Sequence, residues 1–307
     1  MRPTALDRAL LALDGLSLGD AFGQRVFSGP DPHSRVIARR VLPRAPWRHS
    51  DDTAMASVLV EHLHLRGAID RDALALDFAR RYSADPARGY GAVAHWILTR
   101  VGAGHPWRDT ARTPFQGTGS MGNGAAMRVA PVAAWWVDDL DEALRGAIAS
   151  AEVTHANPQG IAGAVAVAAA CVFAWRARRD PTAVKAAEVL RFVAERTPDG
   201  AVRDGVREAA RRVDATPYDA AKALGDGREV TAPDTVPYAL WCAATALGDF
   251  EGAQWRCAEG LTTPGADVDT ACAIVGGVVA LAVGREGLPP SWLQAREPLS
   301  VALDDAG

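Results

Sequence analysis

Two runs of small apolar residues constrain the fold of this chain more than any other feature of its sequence. The first extends from Gly160 to Trp175 without a charged residue, and the second, ACAIVGGVVALAV, covers residues 271–283. Both are rich in alanine, glycine and valine, whose small side chains let neighbouring helices approach closely. The first run is shorter than the ~20 residues that a membrane-spanning helix needs. We therefore predict that both runs form buried helices at the centre of a globular fold.

Helical periodicity extends over most of the remaining sequence. Leu6, Leu10 and Leu13 fall at the spacing of one helix face, and alternating strand patterns are scarce. Further helices are predicted over residues 70–83, 88–101, 124–136, 140–152, 159–178, 181–195, 200–212, 235–246, 250–259 and 269–283. One weak strand pattern covers residues 36–42. No βαβ alternation, linker or internal repeat is evident, so we predict an all-α bundle in which residues 1–307 form a single compact domain.

The bulk composition excludes several classes of protein. The 307 residues are 49% hydrophobic and 23% charged, with a formal net charge of −4, which argues against nucleic acid as the main partner. None of the four cysteines has zinc-ligand or redox spacing, which favours a reducing compartment. Asp7 and Asp14 interrupt the apolar start of the chain, so we do not expect this segment to be a signal peptide. We expect a cytoplasmic protein that does not bind a membrane.

The stretch Ser50-Asp51-Asp52-Thr53 places two carboxylates and two hydroxyls immediately before an apolar helical pattern. Serine and aspartate are common at this position because their oxygens accept hydrogen bonds from the free backbone N–H groups of a helix start. Taken alone, the motif is explained by helix capping. Oxygen ligands of this kind are also those that Mg²⁺ prefers.

A second acidic cluster, Asp267-Val268-Asp269-Thr270, stands before the apolar run near the other end of the chain. It offers two carboxylates and a hydroxyl within a single turn, again the ligands of a hard cation. If the two clusters met, four carboxylates would share one pocket, and their repulsion would be costly without cations. The residue pattern does not establish whether they meet.

A glycine-rich loop, Gly117-Thr-Gly-Ser-Met-Gly-Asn-Gly124, runs into a predicted helix. Such loops expose backbone N–H groups and can bind phosphate, although a flexible turn is the simpler interpretation. A further stretch, Thr154-His155-Ala156-Asn157-Pro158, precedes the alanine-rich helix. From the residues alone, His155 is either a ribose contact or part of a helix cap.

These stretches, in this order, resemble the ADP-ribosylglycohydrolase family. The similarity begins at Gly15-Leu-Ser-Leu-Gly-Asp-Ala-Phe-Gly23, which matches the family's G-x-x-x-G-D-A-x-G, and continues through SDDT, GSMGNGAAMR, THANPQG and DVDT. It spans about residues 12–284. The resemblance implies an orthogonal multi-helix bundle and an enzyme that cleaves the N- or O-glycosidic bond between ADP-ribose and an acceptor on a protein or small molecule.

The resemblance also implies roles for individual residues. The ligands of two divalent ions, Mg²⁺ or Mn²⁺, would be Ser50, Asp51, Asp52, Asp267, Asp269 and Thr270. The contacts to ADP-ribose would be Gly119, Ser120, Met121, Gly122 and Asn123 around the diphosphate and His155 near the ribose. Asp51, Asp52 and Asp269 are the carboxylates expected to orient or deprotonate the attacking water.

One position departs from the family pattern. Many relatives place a glutamate shortly after the G-D-A-x-G motif, and Phe27 stands there in this chain. The ligand set is therefore nearer to that of the arginine-directed branch, which favours arginine-linked ADP-ribose as substrate. The departure also keeps open a non-catalytic relative that binds ADP-ribose or is purely structural. Other helical metalloenzymes fit poorly, because the sequence contains no His-Asp dipeptide and Met55 replaces the last acid of a DDxxD motif.

Overall fold

The computed structural model describes residues 3–28 and 33–303, and within them all regular secondary structure is helical. The α-helices are α1 Ala5–Ser28, α2 His33–Arg39, α3 Asp51–Arg66, α4 Arg71–Ala84, α5 Ala92–Gly102, α6 Trp107–Arg112, α7 Gly124–Met127, α8 Ala130–Trp135, α9 Leu140–Glu152, α10 Pro158–Ala177, α11 Ala186–Arg196, α12 Ala201–Arg211, α13 Pro217–Leu224, α14 Ala232–Thr245, α15 Phe250–Gly260, α16 Val268–Val283 and α17 Pro290–Ala295. Two short 3₁₀ helices, Pro181–Ala183 and Arg285–Gly287, join neighbouring elements. The predicted all-α bundle is confirmed.

Helices α10 and α16 form the centre of the fold, as their apolar sequences predict. Fourteen of the 20 residues of α10 and 14 of the 16 residues of α16 are buried. By length and composition α10 could also cross a membrane, but 78% of its most apolar window is buried against the rest of the protein. Its hydrophobicity is therefore used for core packing.

A row of glycines on α1 brings this helix against α16. Gly15, Gly19 and Gly23 recur every four residues and so lie on one face of the helix. A Cβ atom on Gly19 would overlap the backbone carbonyl of Cys272, and one on Gly23 would lie 2.7 Å from the Cα atom of Asp269. This close approach places the middle of α1 beside the first turn of α16.

Some local predictions were wrong. Residues 36–42, predicted as a weak strand, belong largely to α2, because no neighbouring strand exists in the described residues to pair with them. The helix predicted over 124–136 is interrupted between α7 and α8. Helix α13 was not among the predicted helices; Thr216 caps it and Pro217 occupies its first turn.

Candidate active site

The acidic clusters from the two ends of the chain meet in the structure. One carboxylate oxygen each from Asp20, Asp52 and Asp269 lies within 4.8 Å of the others. Asp52 occupies the first turn of α3, Asp269 occupies the first turn of α16, and Asp20 lies in the middle of α1. Three helices that are far apart in sequence therefore contribute to one acidic centre.

The turn before α3 serves both as a helix cap and as part of this centre. Ser50 is the N-cap residue, and its Oγ accepts a hydrogen bond of 3.1 Å from the backbone N–H of Asp52. The same hydroxyl donates to Oδ2 of Asp52 at 2.8 Å. Capping thus fixes the orientation of the Asp52 carboxylate, whose Oδ1 is buried without a hydrogen-bond partner in the described residues.

The turn before α16 orients its acids differently. Asp267 is the N-cap residue, yet its side chain makes no capping bond. Its Oδ2 instead accepts a hydrogen bond of 2.6 Å from Nδ2 of Asn123 in the glycine-rich loop. Thr270 is buried in the same turn. The carboxylate of Asp267 is therefore turned away from the helix backbone and links the acidic centre to the loop.

Asp20 is the member of the centre to which the sequence analysis assigned no role. Its carboxylate accepts hydrogen bonds from the backbone N–H of Ser50, at 2.9 and 3.0 Å to its two oxygens. It also accepts from the backbone N–H and the hydroxyl of Thr53, at 3.1 and 2.5 Å. Through these bonds Asp20 fixes the position of the first turn of α3. In the sequence, its place inside the G-D-A-x-G motif is the feature that could have indicated this role.

Burial and mutual repulsion make the centre costly to ionise. Burial, together with the charge of Asp20, raises the pKa of Asp51 to about 7. Burial also raises the pKa of Asp52 well above its ordinary value, with the charges of Asp20 and Asp51 adding to the shift. Burial also raises the pKa of Asp269, and the negative charge of nearby Asp267 adds to the shift. A group of carboxylates in this state is stabilised by a cation.

The residues present fit a divalent metal ion. The ligand atoms are carboxylate and hydroxyl oxygens, the set that Mg²⁺ and Mn²⁺ prefer. The unpartnered Oδ1 of Asp52, which is buried among like charges, has the unsatisfied lone pairs that a metal ligand needs. Two helix N-termini converge on the same point, and their dipoles help to hold the negative charge.

The glycine-rich loop lies against both the acidic centre and the start of α10. Gly119 has a φ of 74°, and a Cβ atom there would lie 2.7 Å from Cβ of Ala156, so both the conformation and the space require glycine. The loop is also fixed to the segment before α14, since Asn123 N donates to Val230 O and Ala232 N donates to Met121 O. These contacts fix the conformation of the loop, which is therefore not a flexible turn.

His155 packs beneath this loop. The ring is buried, and Cβ atoms added at Gly122 or Gly124 would each lie 3.3 Å from its Nε2. Its Nδ1 lies 2.7 Å from the hydroxyl of Thr154. Burial lowers the pKa of His155 to about 3, so the ring is neutral at physiological pH.

Two further residues, Arg128 and Phe27, lie near the acidic centre. Arg128, the last residue of GSMGNGAAMR, is buried, and its burial lowers the pKa of the guanidinium to about 9. Among the charged groups around it, Asp51 favours its cationic form most strongly. Phe27 lies at the C-terminal end of α1 with 44% of its surface exposed. Its position is one turn beyond Gly23, which contacts the backbone of Asp269.

Comparisons with known proteins show the family of this chain. The family model for ADP-ribosylglycohydrolase matches residues 1–305. The chain is 28% identical to human ADP-ribosylhydrolase ARH3, over 94% of this chain and 90% of the relative. It is 29% identical to the ADP-ribosyl-[dinitrogen reductase] glycohydrolase of Rhodospirillum rubrum, over 51% of this chain and 54% of that protein.

A solved structure described as an ADP-ribosylglycohydrolase-related protein complex has a similar fold. Its TM-score is 0.68 at 26% sequence identity, and the match covers 95% of this chain and 93% of that one. The family model spans nearly the whole sequence, including all the stretches that line the acidic centre. This chain belongs to the ADP-ribosylglycohydrolase family, whose name describes hydrolysis of the glycosidic bond to ADP-ribose.

Proposed function

We propose that the protein is a divalent-metal-dependent ADP-ribosylhydrolase that cleaves the bond between the anomeric carbon of ribose and an acceptor. The meeting of Asp52 and Asp269 within 4.8 Å carries this proposal, because nothing in ordinary folding favours buried like charges side by side. Family membership supplies the ADP-ribose part of the substrate.

The proposed metal ligands are those of the two helix starts: Ser50, Asp51, Asp52, Asp267, Asp269 and Thr270. Two ions, Mg²⁺ or Mn²⁺, are proposed, and bound there they supply Lewis acidity and charge neutralisation near the ribose hydroxyls. Asp51 and Asp52, supported by Asp269, orient the attacking water and take up its proton. The reaction passes through an oxocarbenium-like transition state, in which these negative charges stabilise the positive ribose.

The binding surface for ADP-ribose is proposed to be the loop and the histidine beneath it. Gly119, Ser120, Met121, Gly122 and Asn123 lie where the diphosphate is expected, next to the hydrogen bond that joins Asn123 to Asp267. Phe115 and Met121 are 60% and 41% exposed at this loop. Such exposed apolar side chains offer a flat surface on which the adenine ring can stack.

The acceptor is proposed to be arginine, because Phe27 leaves no carboxylate at the end of α1. Cytoplasmic location is likewise proposed, and the four free, buried cysteines support it. Binding to nucleic acid or membranes is not part of the proposal.

The proposal is tested by measuring free ADP-ribose released from a panel of arginine-linked and serine-linked ADP-ribosylated peptides. We expect release in Mg²⁺ or Mn²⁺, none in EDTA, and faster cleavage of the arginine linkage. Asp52→Asn should lower the rate more than about a thousandfold, whereas Asp141→Asn, an exposed aspartate in the first turn of α9, should not. Tight calorimetric binding of ADP-ribose without product from any linkage would instead favour a non-catalytic relative.

A further inference from the structure

Three buried side chains form a row behind the glycine-rich loop. Nη2 of Arg128 donates to the hydroxyl of Thr154 at 2.7 Å and to the carbonyl of Ser150 at 3.0 Å. The hydroxyl of Thr154 in turn lies 2.7 Å from Nδ1 of His155. The guanidinium of Arg128 also lies 4.5 Å from the ring centre of Phe78. In the part of the chain that the structure describes, no carboxylate forms an ion pair with Arg128.

The order of donors in this row follows from chemistry. A guanidinium can only donate, so the hydroxyl of Thr154 accepts from Arg128. That hydroxyl has one hydrogen, and its hydrogen-bond contact besides Arg128 is with Nδ1 of His155. If Nδ1 carried a hydrogen instead, the O–H of a buried threonine would lose its acceptor, at a cost of about 1–3 kcal/mol. Nδ1 therefore accepts, and in a neutral ring the hydrogen is on Nε2.

The Nε2 edge of His155 lies beside Gly122 and Gly124 of the glycine-rich loop, the segment proposed to bind the diphosphate. A Cβ atom at either glycine would lie 3.3 Å from Nε2, so glycine keeps side chains away from this nitrogen. Among the described residues, no group forms a hydrogen bond with Nε2. A neutral N–H in this position suits an oxygen acceptor, such as a ribose hydroxyl or a phosphate oxygen.

We infer that Arg128 and Thr154 are positioning residues that fix His155 in its Nε2–H tautomer, so that this nitrogen donates to an oxygen of bound ADP-ribose. The inference rests on the proposed function for the identity of the ligand. The tautomer itself is a property of the ligand-free protein. Burial, which lowers the pKa of His155 to about 3, is consistent with a ring that stays neutral throughout.

The tautomer is measured by the ¹⁵N resonances of the histidine rings in the ligand-free protein. His155→Gln identifies the signals, because six other histidines are present. We expect a hydrogen on Nε2 and a hydrogen-bonded, unprotonated Nδ1 in the wild type and in Thr154→Ser. In Thr154→Val, which keeps the shape but removes the hydroxyl, the Nδ1 signal should move because its donor is lost.

Calorimetry with ADP-ribose in Mg²⁺ measures the consequence for binding. Thr154→Val should bind about tenfold more weakly, the size of one hydrogen-bond effect, and Thr154→Ser should restore the affinity. Thr197→Val is the matched control, since its buried hydroxyl bonds only the carbonyl of Val193 and should leave the affinity unchanged. Arg128→Met should also move the Nδ1 signal, because the hydroxyl of Thr154 then loses the donor that holds it in place beside Nδ1. If Arg128→Met does not fold, the Thr154 variants decide.

Two results would overturn the inference. One is a hydrogen on Nδ1 in a wild-type protein that binds ADP-ribose tightly, which defeats the positioning role but leaves the proposed function intact. The other is wild-type affinity in Thr154→Val. A wild type that does not bind ADP-ribose at all would defeat the proposed function, and with it the role of Nε2 as a donor, even if the tautomer is as expected.

Discussion

Asp20, Asp52 and Asp269 carry the same side chain and lie together, but their hydrogen bonds give them different tasks. Asp20 accepts from Ser50 and Thr53, and these donors offset part of the burial that raises its pKa. Asp52 leaves one buried oxygen without a partner. The first arrangement stabilises the fold, and the second is destabilising until a cation arrives. Helix caps and acidic motifs can be predicted from a sequence. The different roles of Asp20 and Asp52 cannot, because they depend on which hydrogen-bond donors surround each carboxylate in the folded protein.

Substitution by asparagine should separate these tasks in the metal-free protein. Asp20→Asn should lower the free energy of unfolding by about 2 kcal/mol or more, because an amide group would face N–H donors. Asp52→Asn should raise it by about 1 kcal/mol, because a like charge is removed and the hydroxyl of Ser50 keeps an acceptor. Urea unfolding in EDTA measures both. Equal destabilisation by the two variants would contradict the distinction.

Protons and divalent ions should compete for the acidic centre. The pKa of Asp51 is raised to about 7, and those of Asp52 and Asp269 are raised as well, so these groups hold protons at acidic pH. Metal binding must release those protons, and the apparent affinity for Mg²⁺ therefore falls as the pH drops below about 7. We expect the melting temperature to increase more on adding Mg²⁺ at pH 8 than at pH 5. An increase that is the same at both values would count against metal binding by these carboxylates.

The first turns of α3 and α16 are built alike. Each has an N-cap residue, then an aspartate two positions later, then a threonine: Ser50-x-Asp52-Thr53 and Asp267-x-Asp269-Thr270. The sequence shows both turns, since capping residues before apolar runs are a local signal. Their convergence depends on the contact between α1 and α16, in which Gly19 meets Cys272 and Gly23 meets Asp269 across most of the chain length. Periodicity in one sequence does not reveal such a partner.

The glycine row of α1 should be essential to that convergence. Gly19→Ala should destabilise the protein by about 1–3 kcal/mol and weaken Mg²⁺ binding, because the added methyl overlaps the carbonyl of Cys272 and pushes α16 away. Gly102→Ala is the matched control in another helix, where the new Cβ meets only Cβ of Ala79 at 3.7 Å. It should be neutral or stabilising by helix propensity. Tolerance of Gly19→Ala in both measurements would show that the close packing is dispensable.

At the scale of the whole molecule, the all-α class and the central position of α10 and α16 follow from the sequence. Apolar periodicity and two uncharged runs specify them directly. The secondary structure of residues 36–42 does not follow from the sequence, because a short apolar stretch is compatible with a strand and with a helix until its neighbours in the fold are known. The buried Arg128 is likewise invisible in the sequence, where arginine is expected on the surface.

A chain whose site joins residues 20, 52 and 269 should unfold as one unit. We predict a single calorimetric transition that Mg²⁺ and ADP-ribose both shift upward, because a ligand that binds only the folded state stabilises all the elements that hold it. This outcome would also support the prediction of a single domain over residues 1–307. Two transitions, of which Mg²⁺ moves only one, would show that the chain folds in separable parts.

Anomalous diffraction from crystals soaked in Mn²⁺ tests whether a metal ion joins the first turns of α3 and α16, because it locates the ion without relying on activity. We predict a peak bound by the carboxylates of Asp52 and Asp269, and loss of that peak in crystals of Asp52→Asn. Crystals that take up Mn²⁺ elsewhere and leave the space between these two carboxylates without a peak would contradict it.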